Sequence, residues 1–260
     1  MGFMANLWVK RPPFSRVRLR SASWMPEPAS ILLLTTRWQQ AGRKLHFIEN
    51  GGTIMRDTVY VLVFEGFADW QVALALSEIR RPGDWEVYTV GFSREPVTSM
   101  SGLRVVPDSS LDELDLDAVA LLVLPGGHLW LPAYIDQAAN AAHLVHNAGA
   151  PVAAIDEGVV AVARAGLIDR RRHTANWAGQ LGREVPAYKG HEQYDANVLA
   201  VSDGDVITAS HLGSVEFARE IIHTLELYSA SDRHHWYRLF KHAIPPPWFA
   251  GEPTEIISAA

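Results

Sequence analysis

The feature that most constrains the fold is Ala118-Val119-Ala120-Leu121-Leu122-Val123-Leu124, an unbroken apolar run closed by Pro125-Gly126-Gly127. No polar side chain alternates within it, so a strand here needs cover on both faces, and helices packed on either side of a parallel sheet supply that cover. The flanking segments agree. Thr58-Val59-Tyr60-Val61-Leu62-Val63-Phe64 reads as another strand, followed by a Gly66 turn and a helix over 68–80 that Pro82-Gly83 ends. Residues 85–90 read as a strand, and a polar segment with Gly102 and Pro107 leads into the apolar run. A helix over about 132–147 stops at Gly149 and Pro151, and a short strand over 152–155 runs directly into a helix over 157–165, which Gly166 ends. Further on, 197–201 and 206–209 read as strands around an Asp203-Gly204 turn, and 214–228 as an amphipathic helix. Strands alternating with helices predict an α/β fold, a three-layer sandwich with a mostly parallel central sheet.

At 260 residues and 48% hydrophobic content the chain is large enough for a full core. No apolar run approaches the roughly 20 residues of a membrane-spanning helix, and a cytoplasmic protein with no membrane partner is the expectation. The formal charge of −6 divides unevenly: residues 1–54 hold eight Lys/Arg against two acids, the remainder fifteen against twenty-seven. An acidic body lacks the clustered cations that phosphate binding needs, which argues against a nucleic-acid partner. The Arg-rich, Pro-punctuated stretch 1–54 reads as a tail outside the domain. It is a transit-like segment, an accessory arm or a translated leader. The last is favoured, with Met55 as the start, because Gly51-Gly52 can be encoded by a ribosome-binding purine run. The domain is then 55–232. Residues 233–260, with Pro245-Pro246-Pro247 and several aromatics, are expected to wrap its surface or a neighbouring subunit. The chain has no cysteine, so chemistry falls to carboxylates, histidines, hydroxyls and backbone donors.

Open α/β sheets bind ligands beyond the carboxyl ends of their strands. That directs attention to residues 65–71, 126–130, Asp156-Glu157 and Ser210-His211. The junction Ala153-Ala154-Ile155-Asp156-Glu157-Gly158 resembles a nucleophile elbow, with Asp156 as the projected side chain. An aspartate suits such a turn, since it tolerates left-handed backbone angles and the helix dipole favours its anion.

These motifs, together with Glu65-Gly66-Phe67-Ala68-Asp69-Trp70-Gln71, Leu124-Pro125-Gly126-Gly127, Arg172-His173-Thr174-Ala175-Asn176 and Ile207-Thr208-Ala209-Ser210, resemble the ThiJ/PfpI family of the class I glutamine amidotransferase-like superfamily, in order from about 58 to 241. The resemblance implies a flavodoxin-like fold, a cysteine at the position of Asp156, an acid at that of Gln71, and backbone donors at Gly127 and Glu157 around the site. It also implies a homodimer and thiol-dependent amidases, hydratases, deglycases or proteases, alongside members with sensor or chaperone-like roles.

With Asp156 in place of the thiol, the expected activity is a small-molecule hydrolase, hydratase or lyase without a cofactor. Asp156 is its nucleophile or general base, Gln71 orients it, Gly127 and Glu157 N–H groups hold an oxyanion, and His211 or His128 moves the proton. The alternative is a non-catalytic ligand-binding or regulatory member. The change to Gln71 is chemically paired, because an amide can donate to a carboxylate where two carboxylates would contest one proton. Asp156 also matches the charge and oxygen count of a cysteine sulfinate. Glu65, Gly126, Trp70, Trp130 and His173 complete the candidate pocket, and each has a plain structural reading too. Glu157 can be first-turn helix charge, the histidines surface or hydrogen-bonding groups, the tryptophans packing. No short ligand spacing supports a metal site.

Overall fold

In the computed structural model Val119–Leu124 is a strand with every side chain buried. The structure describes residues 46–47, 53–54, 56–81 and 85–247. Most of the tail assigned to 1–54, and the end of the C-terminal segment, therefore lie outside the described residues. The strands are β1 (His46–Phe47), β2 (Thr53–Ile54), β3 (Thr58–Leu62), β4 (Glu86–Gly91), β5 (Val97–Thr98), β6 (Arg104–Val105), β7 (Ser109–Ser110), β8 (Val119–Leu124), β9 (Val152–Ile155), β10 (Ala200–Asp203) and β11 (Val206–Ala209). The α-helices are α1 (Asp69–Arg80), α2 (Pro132–Asn147), α3 (Gly158–Arg164), α4 (Gln180–Glu184), α5 (Ser214–Thr224) and α6 (Ala230–His242).

Seven strands form the central sheet in the order β10-β11-β9-β8-β3-β4-β7. Every neighbouring pair is parallel except β10 with β11. β8 sits at the centre and faces both ways. Leu122 and Leu124 join the core built with Ala138, Ala142 and Val145 of α2 and Val159 and Val162 of α3. Leu121 and Val123 join the opposite core, with Val72 and Ile79 of α1 and Phe217 and Ile221 of α5. Each fully buried leucine or valine contributes about 1.5–3 kcal/mol over its exposed state, so the run read as doubly covered is what binds the three layers together. Among the described residues no helix is long and apolar enough to cross a membrane.

β10 lies at 200–203 rather than 197–201, the short β5, β6, β7 and α4 have no counterpart in the sequence expectation, and two helices differ from it more consequentially. α5 stops at Thr224 rather than running on to 228, because Glu226 takes φ 50°. The turned chain buries Leu227 and Tyr228, and the Tyr228 hydroxyl donates to Glu78 Oε2 of α1 at 2.6 Å. Residues 230–242 form α6, capped by the Ser229 hydroxyl accepting from the Asp232 N–H. Its Trp236 is buried in the α1/α5 core. The segment expected to wrap the surface thus begins inside a docked helix.

Gly158 sets how closely α3 enters against the sheet. A Cβ there would lie 2.3 Å from the Leu124 carbonyl oxygen, a backbone atom that cannot step aside. Gly158→Ala should lower stability by about 1–3 kcal/mol, measured as the urea unfolding midpoint; an unchanged midpoint would show that the α3 entry yields.

Candidate active site

Parallel strands end on the same side, so the turns after β3, β8, β9 and β11 meet at one edge of the sheet. Between β9 and α3 the chain reverses at Asp156 with φ 63°, one of three described non-glycine residues with positive φ. Its N–H donates to Ala209 O of β11 at 2.9 Å, which fixes the turn to the neighbouring strand. Gly126, at the end of β8, lies directly against the carboxyl group: a Cβ there would sit 2.3 Å from Asp156 Oδ2. Only glycine leaves room for the acid.

Two amides hold that acid. Gln71, buried in the first turn of α1, donates from Nε2 to Asp156 Oδ2 at 2.6 Å. Asn176 donates from Nδ2 to Asp156 Oδ1, also at 2.6 Å. The orientation of each amide is dictated by backbone. Gln71 Oε1 accepts the Gly126 N–H at 2.7 Å, and Asn176 Oδ1 accepts the His211 N–H at 2.9 Å. With each oxygen committed to a donor, each NH₂ faces Asp156, which can only accept.

His211 Nδ1 also lies 3.1 Å from Asn176 Oδ1. Since that oxygen is an acceptor, Nδ1 carries the proton, and Nε2 is left for solvent or a ligand. His211 therefore reaches Asp156 through Asn176 and not directly.

Glu157 follows at the N-terminus of α3, and its carboxyl is pushed up from 4.5 to about 7. Burial is the largest cause, followed by the hydrogen bond and the charge of Asp156, while the N–H groups of Glu157 itself and Gly127 pull the other way. Burial and the neighbouring Asp156 carboxyl thus both favour the protonated form of Glu157. The N–H groups of Gly127 and Glu157, expected to receive an oxyanion, are close enough to the Glu157 carboxyl to favour its charged form.

The remaining candidates are spread more widely. Gly127 packs beside Phe67, where a Cβ would meet Gly66 O at 2.6 Å. The exposed Trp70 follows Asp69 on α1. His128 is exposed and tied through its N–H to Gly66 O; no hydrogen bond joins it to Asp156. Glu65 accepts the Thr98 N–H at 2.8 Å, securing the β5–β6 hairpin instead of facing Asp156. Trp130 packs edge-on to Phe64 and Phe92 and donates to Pro125 O. His173 is buried, with Nδ1 2.7 Å from Arg171 O and Nε2 2.5 Å from the Tyr188 hydroxyl. A carbonyl accepts only, so Nδ1 donates and Nε2 receives the tyrosine proton; burial lowers the His173 pKa accordingly. The ring nitrogens of His173 and Trp130 are thus engaged by fixed internal partners. Among the described residues no group of three or more His, Asp or Glu side chains is placed to hold a metal.

Asn176 received no role from the sequence. It sits in a loop with no strand before it, so the strand-end rule passed it over, although it lies in the Arg172-to-Asn176 motif.

The DJ-1/PfpI family model matches residues 57–224, and the chain belongs to this family. It is 31% identical over 198 residues to a Bacillus subtilis protein named uncharacterized protease YoaZ, covering 74% of this chain and 94% of the relative. It is likewise 31% identical over 169 residues to deglycase TK1284 of Thermococcus kodakarensis, covering 64% of this chain and 98% of that protein. The crystal structure of a ThiJ/PfpI family protein from Bacillus anthracis superposes with a TM-score of 0.68 at 32% identity, over 75% of this chain and 94% of that one.

The clamp yields two predictions. Gln71→Glu sets a second carboxyl group where an amide now lies 2.6 Å from Asp156, and adjacent carboxylates cannot both ionise without cost. The variant should lose more melting temperature at pH 8 than at pH 5; an equal loss at both would mean that the groups had moved apart. Glu157 binds its proton more readily folded than unfolded, so its stabilising effect is full below about pH 4.5 and is lost as pH rises through about 7. Glu157→Gln removes that loss, and its melting temperature relative to wild type should climb between pH 5 and pH 8.

Proposed function

We propose that this protein is a DJ-1/PfpI-type small-molecule hydrolase, hydratase or lyase in which Asp156 stands where the family's reactive cysteine would be and Gln71 where its partner acid would be. The observation that carries this reading is the clamp on Asp156. Two amides locked by backbone N–H groups hold a partly exposed carboxylate at a left-handed turn. Fixed placement of this kind is what a nucleophile or general base requires. Neighbouring carboxyls that differ in protonation divide acid and base roles between them. Asp156, as the anion, attacks the substrate or draws a proton from water, and Glu157 supplies the proton to the leaving group. The N–H groups of Gly127 and Glu157 are the donors for a developing oxyanion. His211 positions Asn176 and offers Nε2 for proton exchange. The names of the relatives, deglycase and protease, belong to those proteins and support the hydrolytic class.

A second reading, a non-catalytic ligand-binding member, is favoured by one observation: the chain contains no cysteine, the residue at which the resemblance places the family's chemistry. Wild type, Asp156→Ala, Asp156→Cys and Glu157→Gln assayed on amide, ester, isonitrile and dicarbonyl substrates separate the two. Carboxylate catalysis predicts wild-type turnover that falls roughly 10²–10⁴-fold in Asp156→Ala. It also predicts a rate that declines above about pH 7 as Glu157 loses its proton, a limb missing from Glu157→Gln. Turnover seen only in Asp156→Cys would establish the second reading.

A further inference from the structure

Next to the clamp, the loop carrying Asn176 and helix α4 enclose a cavity of about 140 Å³ lined by Trp177, Leu181, Tyr188, His191 and Tyr194, with Ala178 and Gly179 at its backbone side. The tyrosine hydroxyls are engaged elsewhere. Tyr188 donates to His173 Nε2 at 2.5 Å and Tyr194 donates to Ala175 O at 3.4 Å. What these residues leave for a guest is ring surface. Trp177 is 47% exposed, a large apolar side chain kept at the surface beside a cavity.

The lining also selects by charge. It contains no carboxylate, and the Arg183 guanidinium lies 5.3 Å from the centre of the Trp177 ring. That guanidinium, paired with Glu184 at 3.1 Å, already holds the cation place over the Trp177 ring, so the aromatic walls are not a free cage for an ammonium group. A neutral planar ring fits on both counts: apolar cavities on the order of 150 Å³ accept a benzene-sized guest.

The cavity is joined to the clamp by covalent and hydrogen-bonded links. Trp177 directly follows Asn176, whose N–H donates to Gln180 Oε1 at 3.1 Å, and the buried Gln180 directly precedes Leu181. A ring held against Trp177 therefore sits one residue along the chain from the amide that holds Asp156.

We propose that this cavity is a recognition pocket for a neutral aryl or heteroaryl group, and that the substrate carries such a ring beside the group that reacts at Asp156. The second clause rests on the carboxylate-chemistry reading; the first does not. Saturation-transfer NMR with phenol and with tetramethylammonium as probes tests it on wild type, Asp156→Ala, Trp177→Ala and Ala178→Trp. Ala178 is exposed, so its replacement fills the cavity from outside without entering the core; melting curves verify that each variant is folded. Phenol should bind wild type and Asp156→Ala alike, and roughly tenfold or more weakly to Trp177→Ala and Ala178→Trp, with no tetramethylammonium signal. Absence of phenol binding, equal binding by the folded Trp177→Ala and Ala178→Trp variants, or preference for tetramethylammonium would overturn the proposal. Because Asp156→Ala retains the cavity, failure of the pocket and failure of carboxylate catalysis register in different measurements.

Discussion

A strand with no polar face can be placed only where both of its sides are dry. β8 meets that requirement by lying at the centre of the sheet, with α2 and α3 over Leu122 and Leu124 and α1 and α5 over Leu121 and Val123. The rest of the architecture follows. Parallel neighbours of β8 must be reached by crossover helices, and the crossovers bring the ends of β3, β8, β9 and β11 to the same edge. The turns at Gln71, Gly126, Asp156 and His211 are therefore neighbours in space although far apart in the chain. The apolar core determines where polar chemistry can be assembled.

At that edge the protein fixes polar groups with backbone. Side-chain amides can turn end for end, and an amide that flips would present oxygen to a carboxylate. The Gly126 and His211 N–H groups prevent this by occupying the amide oxygens. The cost falls on Gly126, which has no room for a side chain, and on Asp156, which bears a positive φ. Strain of this sort persists when surrounding contacts over-determine it. Asp156 has three such contacts in the Gln71 amide, the Asn176 amide and the Ala209 carbonyl.

Much of the fold was legible because hydrophobic period and chain punctuation agree in this sequence. The doubly buried β8, the glycine after α3 and the strand-to-helix junction at Asp156 all carry local signals. α6 does not: its Ser229 cap is plain, but its exposed face is rich in His and Arg, and the burial of Trp236 depends on α5, which no local pattern reveals. The early end of α5 is likewise tertiary, set by the pull of Leu227 and Tyr228 into the core. In the site, Asp156 and Gln71 could be matched from the sequence through their strand-end positions. The loop residue Asn176 could not, nor could the bond of His173 to Tyr188 or the packing of Trp130 on Phe64, because both depend on partners that only the folded chain brings near.

The sheet's two margins are built differently from its interior. On one side β7 pairs with β4 through only two residues, Ser109 and Ser110, before the chain turns into a helical segment. On the other, β10 is a four-residue strand running against its neighbour β11. Long, flat margins invite strands from other molecules, and short ones offer too few free hydrogen-bonding groups to template such growth. This sheet is consequently a poor seed for edge-to-edge stacking between copies, a protection against aggregation that comes from strand length and, in β10, from the charge of Asp203.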